Sequence, residues 1–178
     1  MKYLCLAASP EVGTGERQLL RELLASEFGE PVREMALPSL DFAFDEDRKQ
    51  HSSVAILQLL ARICPSKARK LVAVTERDLF VPVLTFVFGQ AQLGGRVAVI
   101  SLARLRQEFY GLPASAEVFV ERVRKETLHE AGHLFGLVHC PERGCVMSLA
   151  TNVRQIDAKR REFCERCAAS LRQARETA

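Results

Sequence analysis

The chain has 178 residues, 48% hydrophobic and 26% charged, a composition typical of one globular domain with its own core. Its formal net charge of +3 is too small to indicate a nucleic-acid or membrane-surface partner by itself. No apolar run approaches the roughly 20 residues that a membrane-spanning helix needs.

In chain order, the hydrophobic pattern predicts strands that alternate with helices. The N-terminal KYLCLAAS faintly resembles a signal peptide, but the loop and amphipathic helix after it favour a first strand. The predicted strands are 2–8, 32–37, 70–76, 84–91 at a sheet edge and 95–102 as a buried central strand. The predicted helices are 15–29, 46–64, about 115–135 and 157–176, with a loop at 38–45. This order predicts an α/β fold with helices packed on a sheet.

The helix at about 115–135 has clear start and stop signals. Ser115 is a suitable N-cap, and Gly136 can end the helix. Its predicted apolar side comprises Val120, Val123, Thr127, Leu128, Ala131, Leu134 and Phe135. A second face continues the stripe of Arg122, Lys125 and Glu126 toward two histidines.

These histidines belong to HEAGHLFGLVH, the strongest chemical signal in the chain. His129 and His133 lie one helical turn apart, so both imidazoles can converge on one metal ion. Glu130 is offset by about 100° and can exchange a proton without binding the ion. A turn at Gly136 would bring His139 back toward the same point. The pattern predicts three zinc ligands with one open coordination position.

Four cysteines in the last quarter form a second candidate site: Cys140 and Cys145, then the CxxC pair Cys164 and Cys167. In an intracellular chain this spacing favours metal over disulfides, and no predicted strand precedes the CxxC as in thioredoxin-type motifs. Four thiolates suit the closed tetrahedral site of structural zinc. Disulfides or free thiols are the alternatives.

The remaining histidine and cysteines receive no chemical role. His51 stands alone near the start of a polar helical turn, which predicts a solvated side chain. Cys5 and Cys64 lie in apolar segments and are interpreted as small buried hydrophobic residues.

The two clusters together resemble one family of zinc peptidases. HExxHxxGxxH followed by Met147 is the metzincin signature, and HCPERGCVM with the later FCERC resembles the archaemetzincins, as does the stretch 74–106. The resemblance implies a single metzincin-like peptidase domain over 1–178 with a mixed, mostly parallel twisted sheet. Residues 1–136 would form its α/β part with the active-site helix. Residues 137–178 would form a small helical part with the third histidine, the Met-turn and the structural zinc site.

Carried over by position, the resemblance implies a zinc-dependent peptidase with two zinc ions per chain. The implied roles are catalytic zinc ligands His129, His133 and His139; general base Glu130, which takes a proton from a zinc-activated water; structural zinc ligands Cys140, Cys145, Cys164 and Cys167; and supporting residues Gly136 and Met147. It also implies a peptide or protein substrate, no nucleic-acid or membrane partner, a cytoplasmic location and, as the favoured state, a monomer.

The sequence leaves the level of activity open. The implied substrate position is antiparallel to the edge strand, at residues 84–89. Some metzincins add a tyrosine after the Met-turn, but the only tyrosines here are Tyr3 and Tyr110, so we expect narrow specificity or modest activity. One alternative is a zinc-stabilised binding protein with little or no peptidase activity, which Glu130 argues against. The other is a nucleic-acid binder built on the basic C-terminal segment, which lacks an aromatic platform.

Overall fold

The computed structural model describes residues 2–177, built around two sheets. The strands are β1 (Tyr3–Ala8), β2 (Val32–Ala36), β3 (Phe44–Asp45), β4 (Gln50–Ser52), β5 (Ala68–Thr75), β6 (Leu79–Phe80), β7 (Gly89–Ala91) and β8 (Val97–Ser101). The helices are α1 (Thr14–Phe28), α2 (Ser53–Ile63), α3 (Ala116–Leu134), α4 (Val153–Ala158) and α5 (Glu165–Thr177). The large sheet has the order β2-β1-β5-β8-β7, and the small one β3-β4-β6. The predicted α/β fold is confirmed.

The large sheet is covered on both faces. β1, β2, β5 and β8 run parallel, and β7 alone pairs antiparallel, with β8. Alternate residues face opposite cores: Leu4 and Leu6 pack with α1 and α3, while Cys5 and Ala7 pack with α2. Burial on both faces explains why β8 reads as a continuous apolar run. β8 is nonetheless next to the edge, because β5 takes the centre of the sheet.

The prediction for residues 46–64 was wrong at its start. The helix begins at Ser53, where the Ser52 hydroxyl caps it by accepting from the Ala55 amide. The acidic segment before it forms a turn instead, because the Asp45 carboxylate accepts hydrogen bonds from the amides of Asp47 and Arg48.

The prediction of a solvated His51 was also wrong. His51 lies in β4, is only 6% exposed, and its ring lies 5.0 Å from that of Phe44. Its amide donates to the Asp78 carbonyl, beside its strand partner Leu79. Pairing between distant segments therefore buries a residue that its local sequence marks as polar. Cys5 is buried as predicted, and Cys64 is half-buried.

The predicted edge strand 84–91 shortens to β7. Because β7 is antiparallel to β8 and the Ser101 amide still donates to the Phe88 carbonyl, residues before Phe88 would have to pair with residues beyond Ser101. There the chain leaves the sheet for a 3-10 turn at Ala103–Leu105. Residues 84–88 consequently form no continuous strand, and Val87 makes a single antiparallel bridge to Leu79 of β6 instead.

The predicted helix 157–176 is broken into α4 and α5. Residues 159–164 leave the helix because they bond to a distant loop: the Arg160 amide donates to the Gly144 carbonyl, and the Val146 amide donates to the Glu162 carbonyl. Among the described residues, no helix has both the length and the apolar character to cross a membrane.

Candidate metal centre

The helix α3 carries the first cluster and is fixed at both ends. The Ser115 hydroxyl accepts from the Val118 amide at its start. At its end Gly136 has a φ of +86°, a conformation that glycine adopts readily. The buried Lys70 ammonium donates to the Leu134 carbonyl at 2.7 Å, capping the carbonyl end of the helix. The end of α3 is thereby held by β5 as well as by its own turn.

The structure brings the three predicted histidine ligands together. One nitrogen from each imidazole lies within 4.8 Å of the others, and the Nε2 atoms of His129 and His133 are 3.1 Å apart. The Nδ1 atom of His129 contacts the Val146 carbonyl at 2.9 Å, and that of His133 contacts the Leu137 carbonyl at 2.6 Å. Since a carbonyl can only accept, both Nδ1 atoms carry the proton and both Nε2 lone pairs are available.

The chemistry of this donor set fits zinc. Burial lowers the pKa of His129 well below its ordinary value, and burial also lowers the pKa values of His133 and His139. Neutral imidazoles are the form that binds a metal. Burial decreases from His129 to His139, which is exposed, so the cluster opens on one side. Three ligands with an open side match a catalytic rather than a closed zinc site.

Glu130 lies beside this cluster and is 4% exposed. Its Oε2 atom is buried without a hydrogen-bond partner in the described part of the chain. Burial, followed by the charge of the nearby Glu126, raises the pKa of Glu130 well above its usual range. A Cβ atom at Gly89 would lie 2.7 Å from Glu130 Cγ and 2.9 Å from its Cδ, so β7 passes directly against this side chain.

A cavity of about 460 Å³ opens over the histidine cluster and Glu130. Its walls include the three histidines, Glu130 and the segment 84–91. The buried side chains of Glu126 and Lys159 also line it. Four exposed apolar side chains also line it: Leu84, Leu93, Val138 and Leu149. The site can therefore admit an extended chain with apolar side groups.

The four predicted cysteine ligands also meet. Their sulfur atoms all lie within 4.8 Å of one another, and all four side chains are buried. Cys164 precedes α5 and Cys167 lies in its first turn, so the pair sits at a helix start rather than on the face of one long helix. The Arg166 guanidinium donates to Cys140 Sγ at 3.4 Å. Four converging thiols fit a closed structural zinc site.

The two clusters share one loop. Cys140 follows His139 directly, and its amide donates to the Met147 carbonyl at 2.9 Å. Met147 packs beneath α3, where a Cβ atom at Gly132 would lie 2.5 Å from its Sδ atom. Sequence reasoning singled out Met147 but missed Gly132 and Lys159. Gly132 occupies an unspecified position of the HExxH pattern, and Lys159 is distant from the motif.

Comparisons with known proteins agree with this geometry. A sequence profile described as peptidase family M54 matches residues 57–173. The archaemetzincin of Methanocaldococcus jannaschii is 42% identical over 138 residues, which cover 76% of this chain and 75% of that protein. A crystal structure of archaemetzincin from Methanopyrus kandleri has a TM-score of 0.87 and 36% identity, covering 99% of this chain and 96% of that one. A crystal structure of a zinc-dependent peptidase from Methanocorpusculum labreanum has a TM-score of 0.81 and 32% identity, covering 94% and 99%. The chain therefore belongs to peptidase family M54, the archaemetzincins, and is a zinc-dependent metallopeptidase.

Proposed function

We propose that His129, His133 and His139 hold the catalytic zinc of this peptidase and that Glu130 is its general base. The observation that carries the proposal is that three converging imidazoles, two of them anchored by carbonyls, share one cavity with a buried carboxylate whose Oε2 atom has no partner among the described residues. When bound, zinc supplies a Lewis acid that lowers the pKa of water and stabilises negative charge on a carbonyl oxygen.

The chain's own groups supply the remaining steps. Glu130 takes a proton from the attacking water and delivers it to the leaving amine. Its raised pKa suits it to hold that proton between the two events, because burial and Glu126 both disfavour the charged form. The outer edge of β7, at Gly89–Ala91, is the position for a substrate strand, slightly beyond the predicted 84–89.

The test of the base is a Glu130→Gln variant assayed for cleavage of a peptide library. We expect at least a hundredfold loss of turnover with the zinc content unchanged, because the amide keeps the shape but cannot accept the proton. Glu117→Gln, at an exposed position in the first turn of the same helix, is the control and should keep full activity. Turnover that survives Glu130→Gln would exclude this carboxylate as the base.

We further propose that the four cysteines hold a second, structural zinc, giving two ions per chain. Metal analysis of the purified protein should find two zinc ions, and Cys164→Ser should remove one of them. Cys64→Ser is the matched control, since this half-buried thiol lies outside the cluster. The two-site proposal would be overturned if the wild-type protein held only one zinc ion and Cys164→Ser lost it. It would equally be overturned if Cys164→Ser kept both zinc ions.

We propose that the chain forms one peptidase domain, with parts 1–136 and 137–178. This is supported by one hydrophobic cluster that joins α1 and α3 to buried C-terminal residues such as Ile156 and Leu171. The thiols also favour a cytoplasmic location, because an oxidising compartment would tend to pair them. Neither tyrosine lines the cavity over the histidines, which supports our expectation of narrow or modest activity.

A further inference from the structure

A second cavity, of about 510 Å³, lies at the end of the large sheet where the parallel strands begin. Parallel strands begin at the same end of a sheet, so the residues just before β1, β5 and β8 lie together there. The lining consists of Lys2, Ser66, Lys67, Ala68, Arg69, Lys70 and Arg96. Five of these seven residues are cationic and none is acidic, unlike the mixed lining of the peptidase cavity.

Backbone carbonyls hold two of these cations in place. Lys70 Nζ donates to the Gly95 carbonyl at 2.8 Å, in addition to the Leu134 carbonyl. Arg96 Nη2 donates to the carbonyls of Pro65 and Ala68, both at 2.7 Å. Carbonyl groups orient a cation but carry no net charge. These contacts therefore fix the cations at the cavity without neutralising them.

Positive charge is consequently concentrated at this end of the sheet. Arg69 forms an ion pair with Glu30, while its Nε atom is buried without a partner among the described residues. Burial, then the charges of Arg69 and Arg96, lower the pKa of Lys70, and Glu30 only partly opposes them. The cations are thus close enough to repel one another, and a bound anion would relieve that repulsion.

We propose that this cavity binds a small phosphate-type anion. Guanidinium and ammonium groups are the side chains that bind tetrahedral oxyanions, and Ser66, which carries a hydroxyl group, also lines the cavity. Because the site is separate from the histidine cluster, the proposal does not depend on the peptidase mechanism. Lys70 connects the two regions, since its ammonium also caps α3.

The test is an isothermal calorimetric titration of the zinc-loaded protein with inorganic phosphate at constant ionic strength. We expect one saturable site and a higher midpoint of thermal unfolding with phosphate than with chloride, because the ligand binds the folded state. Lys67→Gln should weaken binding about fivefold, the effect of one unit charge about 4 Å away in water. Lys67 is exposed, so its replacement should leave folding intact.

Arg172→Gln is the matched control, because this exposed cation on α5 lies outside the cavity. Equal weakening by both variants would mean general charge screening and would overturn the proposal. Phosphate binding that Lys67→Gln leaves unchanged would assign the anion elsewhere, including the zinc site. Binding of single-stranded RNA without binding of free phosphate would instead assign the cavity to a nucleic-acid backbone and equally refute a small-anion site.

Discussion

Replacing Gly89 by alanine tests how closely the edge strand β7 controls Glu130, the carboxylate that we propose as the general base. Gly89 is not among the glycines with positive φ, so its backbone accepts an alanine. The new methyl would lie 2.7 Å from Glu130 Cγ and 2.9 Å from both Cδ and Oε1, where ordinary contacts are 3.4 to 4 Å. The Glu130 side chain must therefore move by roughly half an ångström or more.

The expected result is a loss of turnover with limited loss of stability. A displacement of 1 Å at a reacting group costs about a hundredfold in rate, so half that distance predicts about a tenfold fall in kcat. Overpacking costs about 1–3 kcal/mol, partly offset by the lower conformational entropy of alanine in the unfolded chain. We expect a net destabilisation of about 1 kcal/mol, with zinc content unchanged.

The assay is steady-state cleavage of a peptide substrate by Gly89→Ala, Glu130→Ala and the double variant. If the methyl acts through the carboxylate, adding Gly89→Ala to Glu130→Ala should cause no further loss. A further tenfold loss in the double variant would show that the methyl obstructs substrate instead. Gly15→Ala is the control, because nothing lies within 4 Å of its Cβ position. Full activity in Gly89→Ala would refute the reasoning.

Three further predictions concern packing, helix capping and pH. Gly132→Ala should lower the free energy of unfolding in urea by about 1–3 kcal/mol, because the added Cβ would lie 2.5 Å from Met147 Sδ. Adding Met147→Ala should relieve that loss, and strictly additive losses in the double variant would contradict the prediction. Lys70→Met should cost about 2–4 kcal/mol, since two carbonyls lose a buried donor, whereas Lys67→Met at the surface should change stability little. Burial lowers the pKa of His51 below its ordinary 6.5, so the unfolded state binds its proton first and stability should fall as pH drops below about 6.5. His51→Gln should flatten that slope in the zinc-loaded protein, and an unchanged slope would reject the assignment.

The residues of the candidate site could be predicted because their spacing is local. His129 and His133 face the same way on any helix, and a glycine at 136 predicts the reversal that returns His139. The start and end of α3 likewise follow from adjacent caps. The α/β class follows from alternating apolar patterns, which each strand and helix carries in its own sequence.

The errors arise where distant segments decide the local structure. His51 is buried because β4 pairs with β6, and the C-terminal helix is interrupted because residues 159–164 bond to the loop before Met147. The edge strand is short because its partner leaves the sheet. Gly132 and Lys159 give no signal in one sequence, since their importance depends on which side chains other segments place against them.

The loop from His139 to Met147 has a consequence for which changes the chain can accept. Its two ends are tied by the bond from the Cys140 amide to the Met147 carbonyl, and the Val146 carbonyl within it orients His129. One inserted residue would shift the hydrogen-bonding register and displace members of the histidine cluster and of the cysteine cluster at once. The tip at 141–143 is exposed, and so is the ion pair of Glu142 with Arg160, so exchanging these side chains should cost little stability. At this tip the number of residues is constrained far more tightly than their identity.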